Sequence, residues 1–169
     1  MAKGASGTTT TAANAMTKEE IDAFLAGPHI GRLATIREDG FPHVTPIWFV
    51  WDGDCARFIL GLKRLHMKNL KRSPKAGLCV DLDYRPPARD FSKGAEAVVL
   101  WGTVELVEDD ERLLRTYSEQ ARKFIGPGAD EDPAYIAGRD SEKRQLCVFT
   151  PAGMHTWDFR KAYRATSPG

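Results

Sequence analysis

The sequence lacks several features that would have assigned the protein to a class at once. Its three cysteines, Cys55, Cys79 and Cys147, form no Cys-x-x-Cys pair, which argues against a zinc site and a disulfide scaffold and suits a reducing cytoplasm. No apolar run approaches the length of a membrane-spanning helix, so we expect no membrane partner. The formal net charge is only +1, which argues against a nucleic-acid partner.

Familiar catalytic and metal-binding spacings are also absent from the sequence. His29, His43 and His155 do not have the spacing of metal ligands, and no Ser/His/Asp order stands out. We therefore predict no metal site and name no catalytic residue. This absence does not exclude an enzyme, because a bound cofactor can supply chemistry that side chains do not.

The length of 169 residues and a hydrophobic fraction of 42% indicate one globular domain. Residues 1–15 are rich in threonine, alanine and glycine and lack the apolar stretch of a secretory signal. We predict that residues 1–15 are a disordered tail and that residues 16–165 form a single domain.

Helix signals occur at four places. Thr17 and Glu20 form a capping box that predicts a short helix ending at Gly27. A basic helix is predicted over residues 63–72, and Asp132-Pro133 can open one more turn. The longest helix is predicted from apolar residues at helical spacing, namely Leu113, Leu114, Tyr117, Ala121, Phe124 and Ile125.

Strand signals dominate the rest of the chain. The Asp39-Gly40 and Asp52-Gly53 turns predict an antiparallel meander over residues 30–62, with a break or an edge at Pro46, which cannot donate to a ladder. Further strands are expected at 78–83 and 96–107, and a closing hairpin at 144–159. We count about six strands without regular crossover helices, which favours a nearly closed antiparallel barrel over a doubly wound sheet.

Residues 33–37 and 39–49, which read Leu-Ala-Thr-Ile-Arg and Asp-Gly-Phe-Pro-His-Val-Thr-Pro-Ile-Trp-Phe, resemble the opening hairpin of the pyridoxamine 5′-phosphate oxidase-like split barrels. Three later stretches agree with this family in order and spacing, at 68–74, 100–107 and 144–158. The resemblance implies a mainly β (α+β) fold, a six-stranded antiparallel split β-barrel with short flanking helices that forms a homodimer.

The same resemblance implies a function. The family includes enzymes that use flavin mononucleotide (FMN) and enzymes that use the deazaflavin coenzyme F-420. We expect a cytoplasmic oxidoreductase that binds FMN, or alternatively F-420, at a dimer interface and transfers a hydride to or from a small organic substrate. The alternative is a non-catalytic carrier or sensor of a flavin, haem or related ring. Oxidation of pyridoxamine phosphate itself is disfavoured, because that enzyme's fuller set of substrate-phosphate residues cannot be placed here.

The cofactor phosphate is expected at the start of the basic helix. Lys63, Arg64, His66 and Lys68 cluster there, and helix amides add affinity for anions. Many family members carry Ser-x-Lys before an Asn-Leu pair, and their lysine contacts the phosphate. In this sequence Arg64 and His66 occupy those positions before Asn69, and a solvated basic helix is the alternative interpretation.

The cofactor ring is expected against the second strand. In similar proteins this strand supplies an apolar wall, here Val44-Thr45-Pro46-Ile47-Trp48, from which Val44, Thr45, Pro46 and Ile47 are the candidate cofactor-binding residues. Because Pro46 interrupts the ladder, neighbouring amides and carbonyls can be free to bind a ligand. A core strand with a bulge is the alternative.

Three further residues are candidates from the later strands. By resemblance, Trp101 and Trp157 lie near the dimer interface and can reach the partner's cofactor, where an aromatic ring can stack. Arg144 resembles a family position near the cofactor. The alternatives are core packing for the two tryptophans and a surface ion pair for the arginine.

Overall fold

The computed structural model describes residues 14–82, 96–140 and 142–161. The helices are α1 (Lys18–Ala26), α2 (Leu65–Arg72), α3 (Asp110–Phe124) and α4 (Pro133–Asp140), with a 3₁₀ turn at Ala129–Glu131. The strands are β1 (Gly31–Ile36), β2 (Pro42–Ile47), β3 (Val50–Trp51), β4 (Ala56–Gly61), β5 (Lys75–Asp81), β6 (Glu96–Val107) and β7 (Arg144–Asp158).

All seven strands belong to one sheet in the order β2-β1-β5-β6-β7-β4-β3, and every pair of neighbours is antiparallel. The sheet curls into a half-barrel with the helices packed around it. The predicted mainly β, split-barrel class is therefore confirmed. The predicted count of six strands is wrong, because the part of the chain that the structure describes contains seven.

Two local features change the strand boundaries that were expected from the sequence. The expected second strand, 43–51, is divided into β2, which pairs with β1, and β3, which pairs with β4. At the break, the carbonyl of Trp48 accepts a hydrogen bond from the Gln120 side chain at 2.9 Å. The expected closing hairpin is one continuous strand, β7, which pairs with β6 across a bulge at Trp101/Gly102. A Cβ on Gly102 would collide with the Thr150 carbonyl, so only glycine permits this close approach.

Local helix signals are confirmed at the start of the chain. Thr17 caps α1: its hydroxyl accepts from the Glu20 amide at 3.3 Å, and the Glu20 carboxylate accepts from the Thr17 amide at 2.6 Å. The buried face of α1, with Phe24 and Leu25, joins the apolar core of the sheet. The centre of that core contains fully buried side chains: Leu33, Phe49, Phe58, Leu78, Leu100 and Phe149.

A buried arginine fixes α3 against the sheet. Arg57 on β4 is only 4% exposed. Its guanidinium donates to Asp52 in the loop before β4 at 2.7 Å, to the Thr116 hydroxyl at 2.6 Å and to Glu119 at 2.6 Å. Because Thr116 and Glu119 are both on α3, these bonds hold the helix at one position on the sheet.

The predicted ends of the domain are described only in part. Residues 1–13 of the expected tail, the expected loop at 84–94 and residues 162–165 lie outside the described residues. The Asn14 carbonyl accepts from the Asp158 amide at 2.8 Å, and the Met16 amide donates to the Thr156 hydroxyl at 3.2 Å. These two bonds attach the segment before α1 to the end of β7.

Among the described residues, no helix is long and apolar enough to cross a membrane.

Candidate functional site

A cleft of about 720 Å³ lies where the break between β2 and β3, the end of β4 and the start of β7 meet α2, α3 and α4. Six of the residues that the sequence predicted to bind a cofactor line it, namely Thr45, Pro46, Ile47, Arg64, His66 and Arg144. These residues come from three separate parts of the chain. The fold therefore brings the expected phosphate-binding residues and the expected ring-binding strand to one cleft.

Four of the other predicted residues lie close by but do not line the cleft. Val44 is 58% exposed on β2, where alternate side chains point to opposite faces. Lys63 is exposed in the turn before α2. Lys68 and Asn69 line a neighbouring groove of about 510 Å³. Asn69 is itself buried, and its amide donates to the Thr35 hydroxyl at 3.0 Å, so this side chain already holds α2 on β1.

The two predicted tryptophans lie on β6 and β7, away from the cleft of the same chain. Trp101 is 45% exposed beside the bulge, so the alternative that it is a core residue is wrong. Trp157 is half-buried, and its ring centroid lies 5.7 Å from that of His155. Their approach to a partner's cofactor stays a prediction.

The cleft contains polar atoms that have no hydrogen-bond partner. Across the described ranges, three buried side-chain nitrogen or oxygen atoms are in this condition: His66 Nε2, Tyr117 Oη and Arg144 Nε. All three residues line the cleft. A buried polar group without a partner is costly, so a ligand that reaches these atoms from the cleft would gain hydrogen bonds.

Charged side chains at the cleft are mostly basic. Arg64, Arg139 and Arg144 line it together with one carboxylate, Glu142. Glu142 Oε1 lies 3.4 Å from Arg64 Nη2 and 3.5 Å from Arg144 Nη2. Asp140, which does not line the cleft, forms an ion pair with Arg139 at 2.7 Å. The three guanidinium groups therefore exceed the two carboxylates by one positive charge, which favours an anion.

His66 stands where many family members have a lysine, and it is only 9% exposed. Burial, with further contributions from neighbouring His43 and Arg64, lowers the pKa of His66 below its ordinary 6.5. The imidazole is therefore neutral at pH 7 and is suited to a hydrogen bond with a ligand rather than to a charge interaction. The ring of His43 on β2 is 6.3 Å away, centroid to centroid.

Tyr117 on α3 is a cleft residue that sequence analysis assigned only to a helical apolar stripe. Burial raises the pKa of Tyr117 to about 12, so its phenol stays protonated at neutral pH and can donate a hydrogen bond to a ligand. Its backbone carbonyl accepts from Tyr135 Oη at 3.1 Å, a bond that joins α4 to α3.

Other cleft residues were also missed from the sequence. Gln120, Tyr135, Arg139 and Glu142 line the cleft, and none was among the predicted site residues. Trp48, which ends the predicted wall, lines it as well. The Trp48 ring stacks on Phe124 with centroids 5.0 Å apart. One signal was available for Gln120, since a polar residue one turn from Tyr117 on a buried stripe is unusual. Within the described residues, no three His, Cys, Asp or Glu side chains are grouped so as to hold a metal ion.

Comparison with known proteins agrees with this arrangement. The sequence profile of the pyridoxamine 5′-phosphate oxidase family matches residues 17–158. The chain therefore belongs to the pyridoxamine 5′-phosphate oxidase family. A search among curated proteins found no match.

Solved structures show similar folds. A conserved hypothetical protein from Mycobacterium tuberculosis, Rv2991, is 28% identical with a TM-score of 0.79, covering 96% of this chain and 95% of that chain. An F420 reductase is 27% identical with a TM-score of 0.57, covering 79% of this chain and 94% of that chain. The haem storage protein HutZ from Vibrio cholerae, 18% identical with a TM-score of 0.60 over 84% of this chain and 96% of that chain, shares the fold.

Proposed function

We propose that the cleft binds the phosphate-bearing chain of a flavin-type cofactor and that the protein is an oxidoreductase. One observation carries the proposal: the buried polar atoms without partners, on His66, Tyr117 and Arg144, belong to a single cleft that is rich in arginine. When bound, the cofactor would supply hydride transfer to or from a small organic substrate.

The charge of the cleft favours coenzyme F-420 over FMN, although FMN is the broader default of the family. FMN carries one phosphate, whereas F-420 carries a phosphate and a long acidic tail. Arg139 on α4 is a third guanidinium beside Arg64 and Arg144, so a ligand with an acidic group beyond its phosphate has a further partner in the cleft. The 27% identity to an F420 reductase supports the same choice.

Different residues of the cleft would bind different parts of the cofactor. Arg64 and Arg144 would hold the phosphate by charge-assisted hydrogen bonds, and His66 would add a neutral one. Tyr117, protonated at neutral pH, would donate to a polar edge of the cofactor or substrate. Ile47 on β2 contributes to an apolar wall that excludes water from the ring.

The test is a spectral titration of the purified protein with F-420 and, separately, with FMN. We expect uptake of F-420 with a single violet-region absorbance band. The Arg144→Met variant should raise the Kd by roughly tenfold or more, since a hydrogen bond to a charged group contributes about 1.5–3 kcal/mol. Lys143→Met is the matched control, because Lys143 is the exposed neighbour in sequence and does not line the cleft.

Two results would contradict the proposal. One is no uptake of either cofactor by the wild-type protein. The other is an equal Kd for the Arg144 and Lys143 variants. Uptake of FMN with its two-banded yellow spectrum, and not of F-420, would keep the phosphate site and reverse the choice of cofactor.

A non-catalytic ring binder is the second candidate, and His66 is the observation that favours it. A neutral imidazole with an unpartnered, buried Nε2 is also a suitable axial ligand for haem iron. Titration with hemin would then produce a sharp Soret band that His66→Ala abolishes. Tight uptake of F-420 without oxidation of its reduced form by any of a panel of quinones, nitroaromatics and enones would indicate a carrier instead.

The expected homodimer and cytoplasmic location are also part of the proposal. They rest on the family resemblance, in which the later strands approach the cofactor of the second protomer. The exposed Trp101 on β6 fits a covered position in such a dimer.

A further inference from the structure

Glu142 is the one cleft residue, within the described ranges, whose charge opposes an anionic ligand. Its carboxylate is 28% exposed and lies between two guanidinium groups, 3.4 Å from Arg64 and 3.5 Å from Arg144. Both distances are at the outer limit of a hydrogen bond. One carboxylate therefore interacts with two arginines and satisfies neither well, and Arg144 Nε has no partner at all.

The end of β4 provides the space for this carboxylate. A Cβ on Gly61 would lie 2.9 Å from Glu142 Oε1 and 3.2 Å from Arg64 Cγ. Gly61 is also paired in register with Arg144 across the β4–β7 ladder. The absence of a side chain at Gly61 thus lets Glu142 and Arg64 meet directly beside Arg144.

We propose that Glu142 is a specificity-determining residue that competes with the phosphate of the ligand for Arg64 and Arg144. In the free protein its carboxylate offsets one of the two positive charges of the arginine pair. A phosphate that binds the pair must displace this carboxylate or bind beside a like charge. This inference rests on the proposed function, because it concerns the affinity of the same cleft for a phosphate-bearing cofactor.

The expected effect is moderate and limited to anions. Partly exposed ion pairs of this kind each contribute up to roughly a factor of five to an equilibrium. Removing the charge of Glu142 should therefore strengthen phosphate binding by about tenfold. Binding of a ligand without a phosphate should not change, because that ligand does not compete for the arginines.

The experiment compares Glu142→Gln with the wild-type protein. The Kd values of F-420 and of its phosphate-free deazaflavin chromophore are measured by fluorescence titration. Glu105→Gln on β6 is the matched control, because it removes the same charge from an exposed residue that does not line the cleft. Glu142→Ala is a second variant that removes the hydrogen-bonding group as well as the charge.

The inference predicts that both Glu142 variants bind F-420 about tenfold more tightly, that the chromophore binds all proteins equally and that Glu105→Gln behaves as wild type. It is overturned if F-420 affinity is unchanged or weaker in the Glu142 variants, or if the chromophore gains as much. If F-420 and FMN bind none of the proteins, the proposed function fails. Inorganic phosphate then tests the inference separately: a larger phosphate-induced rise in Tm for Glu142→Gln than for wild type supports it, and an equal rise overturns it.

Discussion

Arg57 offers a direct test of how the cleft is held together, since it fixes the helix that carries Tyr117 and Gln120. We expect Arg57→Ala to destabilise the protein strongly. The substitution removes hydrogen bonds to Asp52, Thr116 and Glu119 at once. It leaves two carboxylates next to a gap where a guanidinium was.

The magnitude follows from the burial of the three groups. Removing one partner of a buried ion pair typically costs about 3–5 kcal/mol. The side chains of Asp52 and Glu119 are 34% and 35% exposed, so water can solvate them in the variant. The loss should therefore be near the lower limit, about 3 kcal/mol, which corresponds to a Tm about 6–12 °C lower for a chain of this size.

Urea unfolding followed by tryptophan fluorescence measures this difference. Arg32→Ala is the control, because the ion pair of Arg32 with Asp81 is 46% and 39% exposed and should contribute less than about 1 kcal/mol. Arg57→Lys, which keeps the charge but not the planar fork, should be intermediate. A loss for Arg57→Ala no larger than that for Arg32→Ala would refute the reasoning.

The stabilisation that Arg57 provides should depend on pH, because Arg57 forms an ion pair with Asp52. Hydrogen bonds from Arg57 lower the pKa of Asp52 below its ordinary 3.8. The stabilisation from Asp52 is therefore fully present above that value and is lost as the pH falls through the lower pKa of the folded state. The stability difference between wild type and Arg57→Ala should narrow below about pH 4.

Two other substitutions test features of the fold. Burial lowers the pKa of Lys123 to about 8, below the 10.5 of the unfolded chain. The free energy of unfolding of the wild type should therefore rise by roughly 1–2 kcal/mol from pH 8 to pH 10, a value reduced for the partial exposure of this side chain to solvent. Lys123→Met should not show this rise, and parallel pH profiles of the two proteins in urea unfolding would contradict the prediction. Gly102→Ala should lower the free energy of unfolding by about 2 kcal/mol or more in the same assay, because the new Cβ meets the Thr150 carbonyl. Gly77→Ala is the control and should lower it less, because its Cβ would have only ordinary contacts at 3.5 Å or longer. Equal losses of stability would show that the bulge does not require glycine.

Features that depend on neighbours in the sequence were predictable. The capping box of Thr17 and Glu20 involves residues three positions apart, and the structure contains both of its hydrogen bonds. The Asp39-Gly40 turn joins β1 and β2, where Gly40 has a φ of 85° that suits glycine. Most strands were predictable from the alternation of apolar residues, because successive side chains of a strand point to opposite faces of the sheet.

Features that depend on distant partners were not predictable in this way. At the break after β2 the chain changes its pairing partner from β1 to β4, and the Trp48 carbonyl accepts a hydrogen bond from Gln120, 72 residues away. The continuity of β7 depends on a bulge at Ala152, which is left unpaired between Pro151 opposite Gly102 and Gly153 opposite Trp101. Both contacts exist only after the sheet has formed, so a local pattern of residues carries little information about them.

The residues of the candidate site also fall into two groups, those predictable from local motifs and those placed by tertiary packing. The sequence determined the family, the split-barrel class and six residues that line the cleft, because short motifs and their order carry that resemblance. Only the tertiary structure decided that Tyr117 and Arg139 belong to the cleft, that Asn69 is committed to Thr35, and that Glu142 lies between two arginines. These outcomes depend on where α3 and α4 pack against the sheet, and that packing follows from the sum of many long-range contacts rather than from any local signal.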